Sequence, residues 1–360
     1  MSRSVSAFEG LNVLDISDRL SGAFAARFFG DFGADVLLAE PPGGHCLRHE
    51  MPVSECSNTG DSDAGCVSPL HAYANWNKRS AAFVDVSDLQ PLVAAADLII
   101  CTRLETADIV GTWLRADAVL LVVTPHGATG SLAGLPGNNL TASAHTGWSY
   151  INRLRNEPPL QMPRYQSGYV GGIAGFIAAS SALLRRSAEG DFERVDVSEV
   201  EAFAHTVHPW GIMSIYAGMD DSYGPVGWRP RGAPGPLWDT SDGRMHLAIG
   251  DFHHWTEAMD VLGLPDIARQ PELIPDLGRH GQDLQPVFSA VAGTLPKMDR
   301  WDVFFKLADL RCVVGVMQDT ADLLVDPQYA AREYLVETEV AGKSVTAAGA
   351  PFKLSPAPWK

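Results

Sequence analysis

The groups able to do chemistry fall in a few places along the chain. His126 opens a glycine-rich loop, PHGATGSLAGLPGNN (125–139), and His145 follows it. With Asp239 these histidines are candidates for acid–base work. Tyr165, Ser167 and Tyr169 offer hydroxyls with no base beside them in sequence. No Asp or Glu occurs between Pro158 and Ala188, so that stretch lacks any carboxylate nucleophile. Lys78, Arg79, Arg48 and Arg103 are cations that could meet a phosphate, or could equally brace the fold. Cys46, Cys56 and Cys66 share one polar loop with His45, His49 and His71, which invites a zinc site. Their spacing contains no CxxC pair, so free thiols and no metal are expected.

The elements that must position these groups alternate as strand and helix. Leu11–Ile16 is an apolar run of buried parallel-strand type, a helix runs from Ser21 or Gly22 to Phe32, and Asp35–Glu40 is the next strand. Ala81–Val86, Ala96–Ile100 and Ala118–Thr124 continue the pattern, with a helix at Leu92–Ala96. A nicotinamide or flavin enzyme needs G-x-G-x-x-G at the first turn. Here only Gly22 and Gly30 stand there, so neither cofactor is expected.

Val170–Arg186 carries apolar and small residues at helical spacing, and its Gly, Ala and Ser face predicts close approach of another backbone. Glu189–Asp191 turns the chain, Arg194–Val197 is a short strand, and Ser198 caps a second helix. The glycine- and proline-rich stretch 224–236 leads to a smaller domain. There Leu237–Ile249 reads as a hairpin turning at Ser241-Asp242-Gly243, and Asp251–Leu262 as a helix. Arg311–Val316 returns the chain to the large domain. The fold class is α/β: a large Rossmann-like parallel-sheet domain (1–205 and 315–360) and a smaller α+β domain (225–310), joined by linkers 206–224 and 311–314.

Several ordered stretches carry a resemblance. EPPGG at 40–44, NKRS at 77–80, ADLII at 96–100, VDVS at 195–198, DPQY at 326–329 and PFKLS at 351–355 resemble the family III CoA-transferases, the carnitine CoA-transferase and bile-acid-inducible F type. The resemblance implies an interlocked dimer in which each chain threads the other. It also implies a nucleophilic aspartate that attacks an acyl-CoA thioester to give an acyl-enzyme anhydride. That aspartate aligns with Gly168. Where related acyl-CoA racemases carry a proton-transferring histidine, this chain has Asn138, and the acid partner of that histidine also falls on Gly168. The cations expected around CoA reduce to Arg48, Lys78, Arg79 and Arg103. The chain stops at Lys360, before the last helix usual in such proteins.

Three readings follow. The first is the aspartate-lacking subunit of a hetero-oligomeric CoA-transferase, with an aspartate-bearing paralogue, or another copy of itself, as its interlocked partner and with CoA or acyl-CoA as substrate. The second is a stand-alone acyl-CoA epimerase, hydratase or lyase using Tyr169, His126 or His145. The third is a non-catalytic binding protein on the same scaffold. A formal charge of −16 argues against nucleic acid and anionic membranes, which need a basic footprint. The apolar run Gly171–Leu184 is shorter than the ~20 residues of a span. With five cysteines and no signal-like h-region, the expectation is a cytoplasmic protein with reduced thiols.

Overall fold

The computed structural model describes residues 6–52, 67–152, 158–185, 193–207, 237–249, 253–275, 283–340 and 342–355. The turn at Glu189–Asp191, most of linker 206–224, the stretch 224–236, Cys56 and Cys66 lie outside the described residues. Two compact units form, Met1–Gly224 with Glu333–Lys360 and, separately, Pro225–Arg332.

In the first unit six strands make one parallel sheet: β1 (Asn12–Asp15), β2 (Asp35–Glu40), β3 (Lys78–Ala82), β4 (Leu98–Cys101), β5 (Val119–Thr124) and β6 (Glu193–Ser198). Their order is β3-β2-β1-β4-β5-β6. The helices are α1 (Leu20–Asp31), α2 (Pro69–Ala74), α3 (Gln90–Ala95), α4 (Leu104–Gly111), α5 (Asn139–His145), α6 (Trp148–Ile151), α7 (Gln166–Arg185) and α8 (Glu199–His205). β4 and β5 are buried along their whole length, because alternate residues feed two faces. Leu98, Ile100, Leu121 and Val123 meet Ala25, Phe29, Ala179 and Ala182 of α1 and α7. Ile99, Cys101, Leu120 and Val122 meet Val93, Ala107 and Val110 of α3 and α4. Each such aliphatic side chain contributes about 1.5–3 kcal/mol over leaving it in water.

The small-residue face of α7 does bring two backbones together. A Cβ on Gly172 would stand 2.8 Å from the Ser21 carbonyl oxygen, and one on Gly175 3.2 Å from Val123 Cγ2. α7 starts a turn earlier than its apolar pattern, at Gln166. Tyr165, with φ 72°, closes the incoming loop, and Asn139 Oδ1 accepts the Ser167 N–H at 3.1 Å. At 20 residues and a mean hydropathy of 1.4, α7 has the length and apolarity of a membrane span, correcting the shorter run read from sequence. Its glycine and alanine face is nevertheless packed on α1 and β5. β3 also begins earlier than Ala81, because Lys78–Ala82 pairs with Val36–Glu40, and Val86–Leu89 then forms a 3-10 turn.

The second unit holds an antiparallel sheet, β7 (Leu237–Thr240), β8 (Gly243–Leu247) and β9 (Val314–Met317). Met245, Trp255, Met259, Val287, Phe288, Val303 and Leu307 fill its core. Arg300 ties the hairpin turn to the C-terminal part of this unit, with Nε 3.1 Å from Asp242 and Nη2 3.0 Å from Asp322. β9 lies in the segment read as the return to the large domain, yet it adds the third strand here. The chain re-enters the first unit at Glu333, where β10 (Leu335–Val340) and β11 (Lys343–Ala348) form a hairpin.

Candidate functional site

Strand order reverses between β1 and β4, and a parallel sheet opens a crevice beyond its C-terminal edge at such a point. β1 leaves through Ser17, Asp18 and Arg19, and β4 through Thr102 and Arg103. Gly22 lets these loops close over α1, since a Cβ there would sit 2.3 Å from Ser17 Cβ and 2.9 Å from Thr102 Cγ2. Asp18 then staples the crevice. Its N–H donates to Thr102 Oγ1 at 2.8 Å, its Oδ1 accepts the Thr102 hydroxyl at 2.6 Å, and its Oδ2 accepts from Arg103 Nε.

The other candidate cations are also held by carboxylates. Arg48 forks onto Glu40 with both bonds at 2.6 Å, and Ser80 and the His45 N–H bind the same carboxylate. Burial raises the Glu40 pKa, but these hydrogen bonds outweigh it and bring it to about 2. Lys78 is 1% exposed, and its ammonium meets Asp15 at 2.7 Å, Ala23 O at 2.8 Å and Asn75 Oδ1 at 2.7 Å. An ammonium has three donors, and all three are used. Arg79, the next residue, points the other way and pairs with Asp35 at 2.7 Å.

Gly168 is buried as the third residue of α7. A Cβ there would meet Leu20 Cδ2 at 3.2 Å and Leu20 Cβ at 3.3 Å. The position is therefore filled by an apolar neighbour rather than left open. One turn along, a Cβ on Gly171 would stand 2.9 Å from Glu199 Cγ. Glu199, at the start of α8, receives Arg19 Nε at 2.9 Å, Arg19 Nη2 at 2.8 Å and the Ser21 hydroxyl at 2.6 Å. Arg19 also donates to Gly137 O at 3.0 Å, tying the glycine-rich loop to this network. Sequence reasoning missed Leu20, Arg19, Ser21 and Glu199. The available signal was an acid directly after a strand and its serine cap, but nothing local separates Glu199 from exposed Glu201.

His126 and His145 do come together, with ring centroids 5.8 Å apart. His126 Nδ1 is buried without a hydrogen-bond partner among the described residues. Asp239 lies in the second unit on β7 and pairs with Arg244 at 2.9 Å. Tyr165 donates its hydroxyl to Glu50 at 2.9 Å. Tyr169 packs edge-on to Phe24, and burial above all pushes its phenol up to about 12, away from ready ionisation. It lines a cavity of about 310 Å³ with Phe24, Phe28, Tyr73 and Pro351, beside the buried Arg27–Asp31 pair.

The histidine–cysteine loop has other commitments. His45 Nδ1 accepts the Leu47 N–H at 3.1 Å, His71 Nδ1 faces Asn75 Nδ2 at 3.0 Å, and Cys46 donates to Asp18 O at 2.6 Å. Burial lowers the pKa of both imidazoles, that of His71 to about 4 with help from Arg48. Among the described residues no three metal-ligating side chains converge.

Comparison with known proteins agrees with this architecture. The profile of CoA-transferase family III matches residues 8–360. The chain is 23% identical to a succinyl-CoA:mesaconate CoA-transferase of Haloarcula marismortui, over 97% of this chain and 90% of that protein. It is 26% identical to the succinyl-CoA:(R)-benzylsuccinate CoA-transferase subunit BbsE of Thauera aromatica, over 98% of this chain and 89% of that one. Among solved structures, a CAIB/BAIF family protein from Brucella suis superposes with a TM-score of 0.83 at 20% identity, covering 99% of this chain and 95% of that chain. Rv3272 from Mycobacterium tuberculosis gives 0.76 at 17% identity, covering 99% and 96%. These structures share the fold.

Proposed function

The chain belongs to CoA-transferase family III, and from that premise we propose that it works in acyl-CoA metabolism as the aspartate-lacking subunit of a hetero-oligomeric CoA-transferase. The observation that carries the reading is the packing of Leu20 against Gly168. Transfer through an acyl-enzyme needs a carboxylate oxygen to attack the thioester carbonyl, forming an anhydride and releasing CoA thiolate. At the helix start that the family resemblance assigns to this carboxylate, the chain presents backbone and leucine. A buried carboxylate one turn along, Glu199 beside Gly171, is held by two donors from Arg19 and one from Ser21.

The paired cations support the same reading. Arg48, Arg79 and Arg103 each face a carboxylate and Lys78 is interior, so little positive charge is left for the phosphates of CoA. The partner in this account is an aspartate-bearing chain of the same family, assembled as an interlocked dimer. Ile173, Ile177 and Leu184 project from the outer face of α7, with Ile177 59% exposed, as suits a helix covered by another chain. BbsE, a relative, is itself named as a subunit.

The His126–His145 pair favours a second reading, a stand-alone acyl-CoA enzyme moving a proton between two imidazoles. Purification of the tagged chain from its native host decides between the two. The subunit reading expects a family III chain with the nucleophilic aspartate in equal amount. A homomeric preparation with its own acyl-CoA epimerase, hydratase or lyase activity favours the second.

A further inference from the structure

We propose that Arg19 and Ser21 form a carboxylate-binding site that the chain fills with its own Glu199. The three residues come from distant parts of the sequence, the β1–α1 junction and the first turn of α8. Arg19 presents its planar fork to both oxygens of one carboxylate, at 2.9 and 2.8 Å, the geometry by which guanidinium recognises free carboxylates. The Ser21 hydroxyl adds a third donor at 2.6 Å. Ser21 is fully buried and Glu199 is 2% exposed. Arg19 Nη2 also donates to Gly137 O at 3.0 Å, a contact to the glycine-rich loop that the anion does not supply. The absence of a side chain at Gly171 leaves the space that the Glu199 methylenes occupy.

The arrangement differs from an ordinary buried ion pair in one respect. Arg19 keeps 27% of its side chain exposed against 3% for Glu199, so the arginine side of the pair is the one open to solvent. The site lies one helical turn from Gly168. In a family that handles carboxylic acids, an occupied receptor there excludes acid substrates from this subunit and leaves them to the partner. This consequence rests on the aspartate-lacking reading; the self-occupied site does not.

Chemical rescue tests it on the full chain as purified. Glu199→Ala removes the internal carboxylate and leaves a hole bounded by the guanidinium and hydroxyl. The variant is expected to lose roughly 4–10 °C in Tm, since the guanidinium and the buried Ser21 hydroxyl lose their acceptor. Sodium acetate at about 50 mM should recover at least half of that loss through mass action. Sodium chloride at equal ionic strength and neutral acetamide should not. Wild type and the double variant Arg19→Leu/Glu199→Leu should ignore acetate. If Glu199→Ala is insoluble, refolding yield with acetate against chloride gives the same readout. Equal response to acetate and chloride, or equal rescue of the double variant, overturns the proposal. Failure of the subunit reading shows separately, as CoA transfer by the wild-type chain alone.

Discussion

Lys78 and Gly168 sit in the two stretches that most resemble an acyl-CoA enzyme, and their surroundings are opposite. Lys78 is enclosed by Asp15, Asn75 and a carbonyl of α1, so its charge is spent inside the fold. At Gly168 the nearest neighbour to a side chain would be the apolar Leu20. The NKRS resemblance therefore reports scaffold, because the lysine's partners are internal and travel with the sheet. The resemblance around α7 reports scaffold as well, and on the proposed reading the position that would supply chemistry there is held by Gly168. Motif similarity tells how the backbone runs. It tells what the protein does only where the reactive atom itself is present.

The contrast can be broken most forcefully at Lys78. Lys78→Met leaves Asp15 buried and charged without its cation, and should cost about 3–5 kcal/mol in urea unfolding. The adjacent Arg79→Met, on an exposed pair, should cost no more than about 1 kcal/mol. Similar losses for both would deny that the lysine is interior scaffold.

Gly168→Asp probes the other side. The new side chain must displace Leu20 by a few tenths of an ångström and desolvate its charge, a loss of roughly 1–3 kcal/mol by overpacking and polar burial. The variant should still trap no acyl group with hydroxylamine, because a nucleophile helps only a substrate that is held and oriented. A stable variant that traps one would show a site ready for its aspartate.

A smaller effect comes from pH. His71 is held down to about 4, first by burial and then by Arg48, whereas in the unfolded chain it titrates near its ordinary value of about 6.5. Between those values the unfolded state binds the extra proton, so this contribution is complete above about 6.5 and is lost as pH falls toward 4. Buried His45 shifts in the same direction. His71→Asn should flatten the fall of Tm across this window, and an unchanged slope would place the acid sensitivity elsewhere. Smallest of all, Arg103→Met should leave CoA affinity within about twofold, since its guanidinium already serves Asp18 and an exposed pair is worth ~1 kcal/mol or less.

Much of the scaffold was legible because it is local. The apolar runs of β1, β4 and β5, the bounds of β2 and the Ser198 cap can be read within a few residues. The parallel sheet follows from their alternation with helices. The start of α7 was misplaced because its first turn carries no apolar period and depends on Asn139 across the chain. Arg311–Val316 reads as the return to the large domain, yet Val314–Met317 pairs with β8, because an apolar run does not name its partner strand. The site was least legible. Arg19 meets Glu199 across 180 positions, and Leu20 closes on Gly168 only after α1 and α7 have packed. His126 and His145 were singled out and do meet, whereas the cations chosen for CoA were chosen by charge, with their carboxylate partners invisible.

The central claim is that this chain lacks the nucleophile of its family and depends on a partner for transfer. Its most direct test is a CoA-transfer assay on the purified chain alone and after co-expression with an aspartate-bearing partner. The account predicts no transfer and no hydroxylamine-trapped acyl-enzyme from the chain alone, and activity in the complex that vanishes when the partner's aspartate is replaced by alanine. Robust transfer by the wild-type chain alone, free of host enzymes, contradicts it.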